Sequence, residues 1–279
     1  MGFEGDLVVA RLGPPKSRGI RVPTAIIRNY TGDAFVIAAD GKAGGTTPSL
    51  SRRKIFKFGD DKRLAYAFAG RVAIGPREGP EIWFDFRDHI NQAVQSFSLD
   101  LYPTLAEYAA RLADFAHRAL VERCSSDQIT FDNATELGAP LACVFISGYF
   151  RQVASSVIIG FYRENRQFAK PKVTHDELII GTPRRHGSLI IDAFFYEKSP
   201  RFFNDKYFYP LEVRLPGFSE AMKGSILTSR AYIEACASDE GLALDPDCCK
   251  DIGGKIHMVR ITPTDEIQWI PGFEHEEKI

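Results

Sequence analysis

The chain has 279 residues, of which 44% are hydrophobic and 25% charged, as in ordinary soluble globular proteins. Its 35 basic and 36 acidic side chains give a formal net charge of −1, so the overall charge favours neither nucleic acid nor an anionic membrane surface as a partner. The five cysteines are scattered, odd in number and without CxxC spacing, which argues against a disulfide framework or a zinc site and favours a reducing cytoplasm.

The first part of the chain predicts a leader followed by two hairpins. Residues 1–23 hold one short apolar patch and a Gly/Pro cluster, and we expect a leader or propeptide-like segment there. Four apolar runs of strand length follow, separated by Gly/Asp turns that are typical of paired hairpins: Thr24–Arg28, Ala34–Ala39, Ile55–Phe58 and Leu64–Ala69. Thr24, Asp40 and Lys54 lie at the ends of these predicted strands, where a fold presents its polar chemistry.

Two helices and then mixed elements are predicted further along. Apolar residues recur every four positions from Gly79 to Phe97, and Thr104 with Glu107 forms a capping-box pattern that opens a second helix. The later predictions are strands at Leu141–Gly148, Val153–Tyr162 and Glu177–Ile180, helices at Leu189–Tyr196 and Phe218–Ala237, and a closing hairpin at Lys255–Thr262 and Glu266–Ile270. Residues 271–279 form a charged tail.

The order of these elements predicts the fold class. Strands occur in groups and do not alternate with helices, which disfavours a doubly wound parallel sheet. Two antiparallel sheets stacked face to face, with a helix pair on each outer side, bury every apolar face at once. We therefore expect an α+β fold, a four-layer αββα sandwich, as a single domain over residues 24–270.

This order, together with several short motifs, resembles the proteasome-type N-terminal-nucleophile hydrolases. That family contains the proteasome β subunits and bacterial relatives of the HslV type. The matching motifs are TAIIRN, VIAADGKA, KIFKF and AFAG in the first 70 residues and DIGGKIHMVRI near the end. The resemblance covers about residues 24 to 270 and implies a threonine-type peptidase or amidohydrolase, whose nucleophile becomes the N-terminus by self-cleavage.

The resemblance also implies a set of site residues. Thr24 falls at the nucleophile, Asp40 lies sixteen residues later as the family requires, and Lys54 matches the family's lysine. Gly70, at the end of AFAG, falls where a backbone N–H donates to the oxyanion. Asp251 is the best match to a later aspartate near the nucleophile.

The chemistry explains why these residue types are needed. A threonine hydroxyl is a weak nucleophile unless a base takes its proton, and a free α-amine on the same residue can do so. A nearby ammonium such as that of Lys54 lowers the pKa of this amine, and Asp40 keeps the lysine charged and oriented. An N–H donated to the developing oxyanion, here from Gly70, contributes roughly 3 kcal/mol in known sites.

Two other interpretations stay open. The first is a non-catalytic scaffold or binding subunit that keeps residues 1–23; it is favoured by Pro23 before Thr24, where self-processing members carry glycine, and by Gly254, where the family often has serine. The second is a sandwich unrelated to these hydrolases. In that case Thr24 opens a strand, Asp40 lies in an Asp-Gly turn and Lys54 belongs to a solvated basic cluster.

The expected partners follow from composition and from the resemblance. The resemblance implies a peptide or amide substrate and a homo-oligomer, with a ring as one form. The sequence contains no run of eighteen or more apolar residues, so we expect no membrane span. No histidine pair has metal-ligand spacing, so we expect neither a metal nor another cofactor. His175, Asp176 and Glu177 are expected to form a solvated turn, and His186, which follows two arginines, is expected at the surface.

Overall fold

The computed structural model describes residues 24–42, 53–58, 61–75, 82–124, 139–193 and 215–276, and the statements below refer to these residues. The predicted leader 1–23 lies outside them. So do the first residues of the helix predicted at 79–97 and the last three of the helix predicted at 189–196.

Twelve strands are present in the described residues. They are β1 (Ile26–Tyr30), β2 (Phe35–Ala39), β3 (Ile55–Phe58), β4 (Asp61–Gly70), β5 (Ala73–Ile74), β6 (Phe84–Asp85), β7 (Ala142–Phe150), β8 (Val153–Glu164), β9 (Gln167–His175), β10 (Arg184–His186), β11 (His257–Ile261) and β12 (Gln268–Trp269). One five-stranded sheet has the order β10-β1-β2-β11-β12, and the other has the order β3-β4-β7-β8-β9. All pairs in both sheets are antiparallel.

The helices fall into two groups along the chain. They are α1 (Phe86–Ser96), α2 (Leu105–Arg123), α3 (Leu189–Ala193), α4 (Glu220–Ala237), α5 (Asp239–Leu244) and α6 (Pro246–Cys249). Thr104 caps α2 as predicted, because its side chain accepts a hydrogen bond from the Glu107 N–H. No helix of the described residues combines the length and the apolar character that crossing a membrane requires.

Three clusters of buried side chains hold these elements together. One packs α1 and α2 against the sheet that contains β4 and β7, and another packs α3, α4 and α6 against the sheet that contains β1 and β2. The third contains residues of both sheets. Along β2, Phe35, Ile37 and Ala39 belong to this shared cluster and Val36 and Ala38 to the helix-facing one, as the period of two in a strand requires.

The α+β class with two antiparallel sheets is confirmed, but one predicted strand is wrong. Residues 177–180 form no strand; the chain instead makes β9 before them and β10 after them. β9 is an edge strand with exposed or half-buried side chains and an irregular register beside Pro171. A proline is tolerated at such an edge or bulge, but together with the lysines around it, it hides the alternation that a central strand would display.

Two short helices were missed and one histidine was misplaced. α5 and α6 are too short to show a helical period in the sequence, although Ser238 and Asp245 cap them. His186 is half-buried and not exposed: β10 pairs with β1, and the His186 ring lies 5.0 Å from that of Phe145.

Candidate active site

The first hairpin brings Asp40 next to Thr24. Thr24 lies two residues before the first residue of β1, Asp40 immediately follows β2, and the register of these strands pairs Ile26 with Ala39. The Ala25 N–H therefore donates to Asp40 Oδ1 at 2.9 Å, and the Asp40 N–H donates to the Ala25 carbonyl at 3.1 Å. The carboxylate is thus bonded to the peptide group that follows Thr24, whose own side chain is buried.

The carboxylate of Asp40 is fully buried and accepts four hydrogen bonds. Besides Ala25 N–H, Oδ1 accepts from Lys54 Nζ at 2.8 Å. Oδ2 accepts from the backbone N–H groups of Lys42 at 3.2 Å and of Gly253 at 3.3 Å. These donors come from the residue before β1, from the turn after β2, from the residue before β3 and from the loop before β11, so four separate parts of the chain meet at one side chain.

Burial dominates the electrostatics of this pair. Burial raises the pKa of Asp40 above its ordinary value, and the Lys54 ammonium and the N–H groups of Ala25 and Gly253 oppose that rise. The Lys54 side chain is only 13% exposed and ion-pairs with Asp40. Each charge therefore depends on the other, because either one alone would be buried without compensation.

A buried, neutral histidine lies on the strand next to β2. His257 is fully buried and pairs with Ala39 in the register of β11 and β2. Burial and the nearby charges of His275, Lys255 and Lys54 lower the pKa of His257 to about 4. At neutral pH this side chain therefore adds no second positive charge beside Lys54.

Gly70 is required by packing, whatever else it does. Its φ of +97° favours glycine, and a Cβ there would lie 2.6 Å from the Leu141 carbonyl oxygen and 2.9 Å from Ala142 Cα. The next residue, Arg71, donates its N–H to the same Leu141 oxygen at 2.8 Å. This reason for glycine is independent of a role as oxyanion donor.

Asp251 is linked to the site by the backbone of the loop that follows it. It is half-buried in the turn after α6, and Gly253, two residues later, supplies the N–H that Asp40 accepts. Among the described residues, no hydrogen bond or ion pair joins the Asp251 carboxylate to Asp40 or Lys54. The structure thus brings Thr24, Asp40 and Lys54 together and places Asp251 beside them without a direct bond to the pair.

Two backbone donors and one glycine were missed by the sequence analysis. Lys42 and Gly253 bind Asp40 through N–H groups, and Lys42 N–H also donates to the Gly253 carbonyl at 2.8 Å. Gly254 has φ +73°, and a Cβ there would lie 3.1 Å from Lys42 N. We call the contacts of Lys42, Gly253 and Gly254 around Asp40 the clamp. Its only signal in the sequence was the pair of glycines in DIGGK, because a backbone donor can come from almost any residue type.

The described part of the chain contains no candidate metal cluster, and comparison by sequence found no match. Within the described ranges no group of three or more His, Cys, Asp or Glu side chains is arranged to hold a metal ion. No protein-family model matches the chain, and no curated protein is significantly similar to it.

Proposed function

We propose that this protein is an N-terminal-nucleophile amide hydrolase of the proteasome type, with Thr24 as nucleophile after removal of residues 1–23. The observation that carries the proposal is the Asp40 carboxylate, which accepts from Lys54 Nζ at 2.8 Å and from the Ala25 N–H at 2.9 Å. A lysine and an aspartate predicted from a motif are thus in contact, directly beside the predicted nucleophile.

The packing of the chain supports the fold that this function needs. Helices α1 and α2 pack on one sheet, α3, α4 and α6 pack on the other, and one cluster is shared by both sheets. The proposed architecture is the four-layer αββα sandwich of the N-terminal-nucleophile hydrolases. The site lies at the start of β1 and the end of β2, next to the apolar cluster between the sheets.

The mechanism follows from the positions of these groups. In the intact chain the Thr24 nitrogen belongs to the peptide bond with Pro23; removal of residues 1–23 turns it into an α-amine. That amine takes the proton of the Thr24 hydroxyl as the oxygen attacks the substrate carbonyl, and the same proton passes to the leaving amine. Lys54, held by Asp40, lowers the pKa of the α-amine towards neutral pH. Water then hydrolyses the acyl–threonine ester.

The proposal extends to substrate and setting. The substrate is a peptide or a related amide, and the working form is a cytoplasmic homo-oligomer, with a ring as the form the resemblance suggests. Gly70 supplies the oxyanion N–H and Asp251 the later carboxylate, through the loop that Gly253 anchors to Asp40.

A second candidate function is a non-catalytic subunit of the same fold. Gly254 favours it, because serine, which the family often has there, would place a Cβ 3.1 Å from Lys42 N at a φ of +73°. Pro23 favours it as well, because its ring restricts the bond that must be cleaved. In this case residues 1–23 stay attached and Asp40 with Lys54 serves only to hold the strand ends.

The deciding experiment measures the N-terminus and the activity of the same preparation. The full chain is expressed and its intact mass determined, and hydrolysis of a panel of fluorogenic peptide amides is followed for the wild type, Thr24→Ala and Thr24→Ser. Thr262→Ala is the matched control, because Thr262 is similarly buried but lies at the far end of β11, where it bonds to the Asp265 N–H and the Thr264 hydroxyl.

We expect a species that begins at residue 24, with hydrolysis that Thr24→Ala abolishes and Thr262→Ala leaves intact. Thr24→Ser keeps a hydroxyl and should retain part of the activity. Full-length mass together with hydrolysis that is equal in wild type and Thr24→Ala would establish the non-catalytic subunit instead.

A further inference from the structure

The chain turns back after β12 and lies beside β11. β12 ends at Trp269, and the Ile270 N–H donates to the Met258 carbonyl at 2.9 Å. The Met258 N–H in turn donates to the Phe273 carbonyl at 3.1 Å. Half-buried and exposed residues alternate from 271 to 276, so one side of this stretch packs against the protein. We call residues 271–276 the return segment.

Three aromatic rings meet where the return segment passes the start of β11. The ring centres of His257 and His275 lie 4.6 Å apart, and that of Trp269 lies 6.2 Å from His257 and 6.5 Å from His275. His257 is fully buried, and the other two residues are half-buried. The rings come from β11, β12 and the return segment, so their contact holds the return segment to the sheet.

This ring cluster lies beside the Asp40–Lys54 pair. His257 pairs with Ala39 in the register of β11 and β2, and Asp40 is the next residue after Ala39. Lys54 Nζ bonds to Asp40 at 2.8 Å. The ammonium of Lys54 is therefore held close to the strand position that His257 occupies.

The charged groups around the two histidines leave little room for another positive charge. They are Lys54 before β3, Lys255 in the loop before β11, Asp40 after β2, and Glu274 and Glu276 in the return segment. Asp40 is already paired with Lys54, and the two glutamates are exposed, where solvent screens their charge. A proton on either histidine would therefore add a like charge to a buried region that already contains an ammonium.

We propose that the rings of His257, Trp269 and His275 form an acid-sensitive latch, which holds the return segment against β11 while both histidines are neutral and releases it when one of them is protonated. Burial and the nearby charges of His275, Lys255 and Lys54 lower the pKa of His257 to about 4. Release exposes the His257 ring to water, where the pKa of a histidine is about 6.5. The open form therefore binds the proton more strongly, so acid favours release and neutral pH favours the closed latch.

The size of the effect follows from these two pKa values. Between pH 8 and pH 5 the release equilibrium should shift about 30-fold towards the open form. A cation–π contact between protonated His275 and Trp269 would act in the opposite direction. Their ring centres are 6.5 Å apart, however, which is beyond the range in which such contacts are strong. We therefore expect release to dominate.

The latch goes beyond the proposed hydrolysis and does not rest on it, because it requires only the packing of the return segment. Release admits water next to Ala39, one residue before Asp40. The latch therefore shelters the Asp40–Lys54 pair at neutral pH.

The test is amide hydrogen exchange of the folded full chain, followed by NMR at pH 8 and at pH 5. The Met258 N–H reports release, because its acceptor is the Phe273 carbonyl in the return segment. The Asp40 N–H reports unfolding of the sheet, because it donates to the Ala25 carbonyl on the β1 side of β2. Protection factors are corrected for the intrinsic pH dependence of exchange.

The wild type is compared with His257→Gln, His275→Ala and the matched control His186→Gln. The control removes another histidine whose pKa burial lowers to about 4, on the edge strand β10 at the opposite side of the same sheet. The wild-type measurement and His275→Ala, which alters a half-buried residue outside the strands, decide the question even if His257→Gln does not fold.

We expect the protection of the Met258 N–H to fall about 30-fold from pH 8 to pH 5 in the wild type and in His186→Gln, while the Asp40 N–H keeps its protection. His257→Gln should remove most of this fall. His275→Ala should lower the protection of Met258 at both pH values, because the return segment loses its ring contact. Protection of Met258 that is equal or higher at pH 5, that falls equally at Asp40, that falls fully in His257→Gln, or that is unchanged by His275→Ala would overturn the proposal.

Discussion

Two of the buried ion pairs in the described residues differ in how they are built. Asp40 and Lys54 meet at the strand ends, and Arg28 and Asp176 meet inside the layer between the sheets. Asp40 accepts four hydrogen bonds, three of them from backbone N–H groups. Asp176 is bound mainly by side chains, namely Arg28 at 2.6 Å, Ser156 at 3.2 Å and Arg184 at 3.6 Å.

The inner pair is incompletely satisfied. Arg28 stacks over the Phe145 ring at 4.4 Å, and its Nε has no hydrogen-bond partner among the described residues. Burial lowers the pKa of Arg28, and Asp176 only partly opposes this. Burying this pair therefore costs free energy. The pair joins β1 to the residue that follows β9, and neither side chain is positioned for a reaction.

The difference between the two pairs indicates that function is expected at Asp40 and Lys54. Backbone donors from three parts of the chain fix the Asp40 carboxylate in a single orientation, so Lys54 is held in place beside residue 24. At Asp176 the partners are side chains, so the carboxylate and its partner can both be replaced by apolar residues without leaving a buried backbone donor unpaired. The following variants test whether the two pairs differ in this way.

Asp40→Asn should have the largest effect. The substitution keeps the shape of the side chain but leaves the buried Lys54 ammonium without a counter-charge, and we expect the free energy of unfolding to fall by about 4 kcal/mol. Urea unfolding measures it, and the proposed hydrolysis should fall by roughly 100-fold or more. Asp33→Asn is the control on an exposed carboxylate of the same hairpin. A loss no larger than that of the control would show that Asp40 is not held as a charge.

Arg28→Met should cost about 3 kcal/mol of unfolding free energy, because Asp176 loses its buried partner. Methionine keeps the apolar contact with Phe145, so the loss measures the charge. The double variant Arg28→Met/Asp176→Leu should recover most of that loss, since both charges are then gone.

The matched double variant at the other pair should not recover. Asp40→Leu/Lys54→Met removes both charges but leaves the N–H groups of Ala25, Lys42 and Gly253 buried without acceptors. Equal recovery in the two double variants, measured by urea unfolding, would mean that the backbone donors do not distinguish the pairs.

Burial of His186 near the inner pair should make the protein sensitive to acid. Burial, with a smaller contribution from Arg28, lowers the pKa of His186 from 6.5 to about 4. A lowered folded-state pKa means that the stabilisation is complete above pH 6.5 and is lost as the pH falls towards 4, by up to about 3 kcal/mol. His186→Gln should flatten this part of the pH dependence of unfolding. An unchanged slope between pH 6.5 and 4 would contradict the assignment.

The sequence predicts the outer pair better than the inner one, for a physical reason. Strand ends and Gly/Asp turns are local features, so Asp40 and Lys54 could be placed from their neighbours alone. Asp176 was expected in a solvated turn because His175 and Glu177 flank it, yet Arg28, 148 positions earlier by the numbering, holds it in the interior. Contacts across such distances leave no periodic trace in a single sequence.

The same reason limits what could be known of the clamp around Asp40. The hydrogen bond from Gly253 to Asp40 spans 213 positions and uses only a backbone N–H. The motif DIGGK marked this loop for the sake of Asp251, whereas the structure shows the glycines making the contact. The motif thus located the loop but gave no sign of the backbone N–H that binds Asp40.

Gly254→Ala should have the smallest effect and isolates the clamp. Gly254 and Gly217 have φ values of +73° and +77°, but a Cβ at Gly254 would lie 3.1 Å from Lys42 N, whereas a Cβ at Gly217 meets nothing within 4 Å. Both alanine variants carry the strain of a left-handed backbone, about 1 kcal/mol. Gly254→Ala must in addition push Lys42 away from Asp40, so it should lose about 1 kcal/mol more in urea unfolding. Equal losses would show that this loop does not press on Lys42.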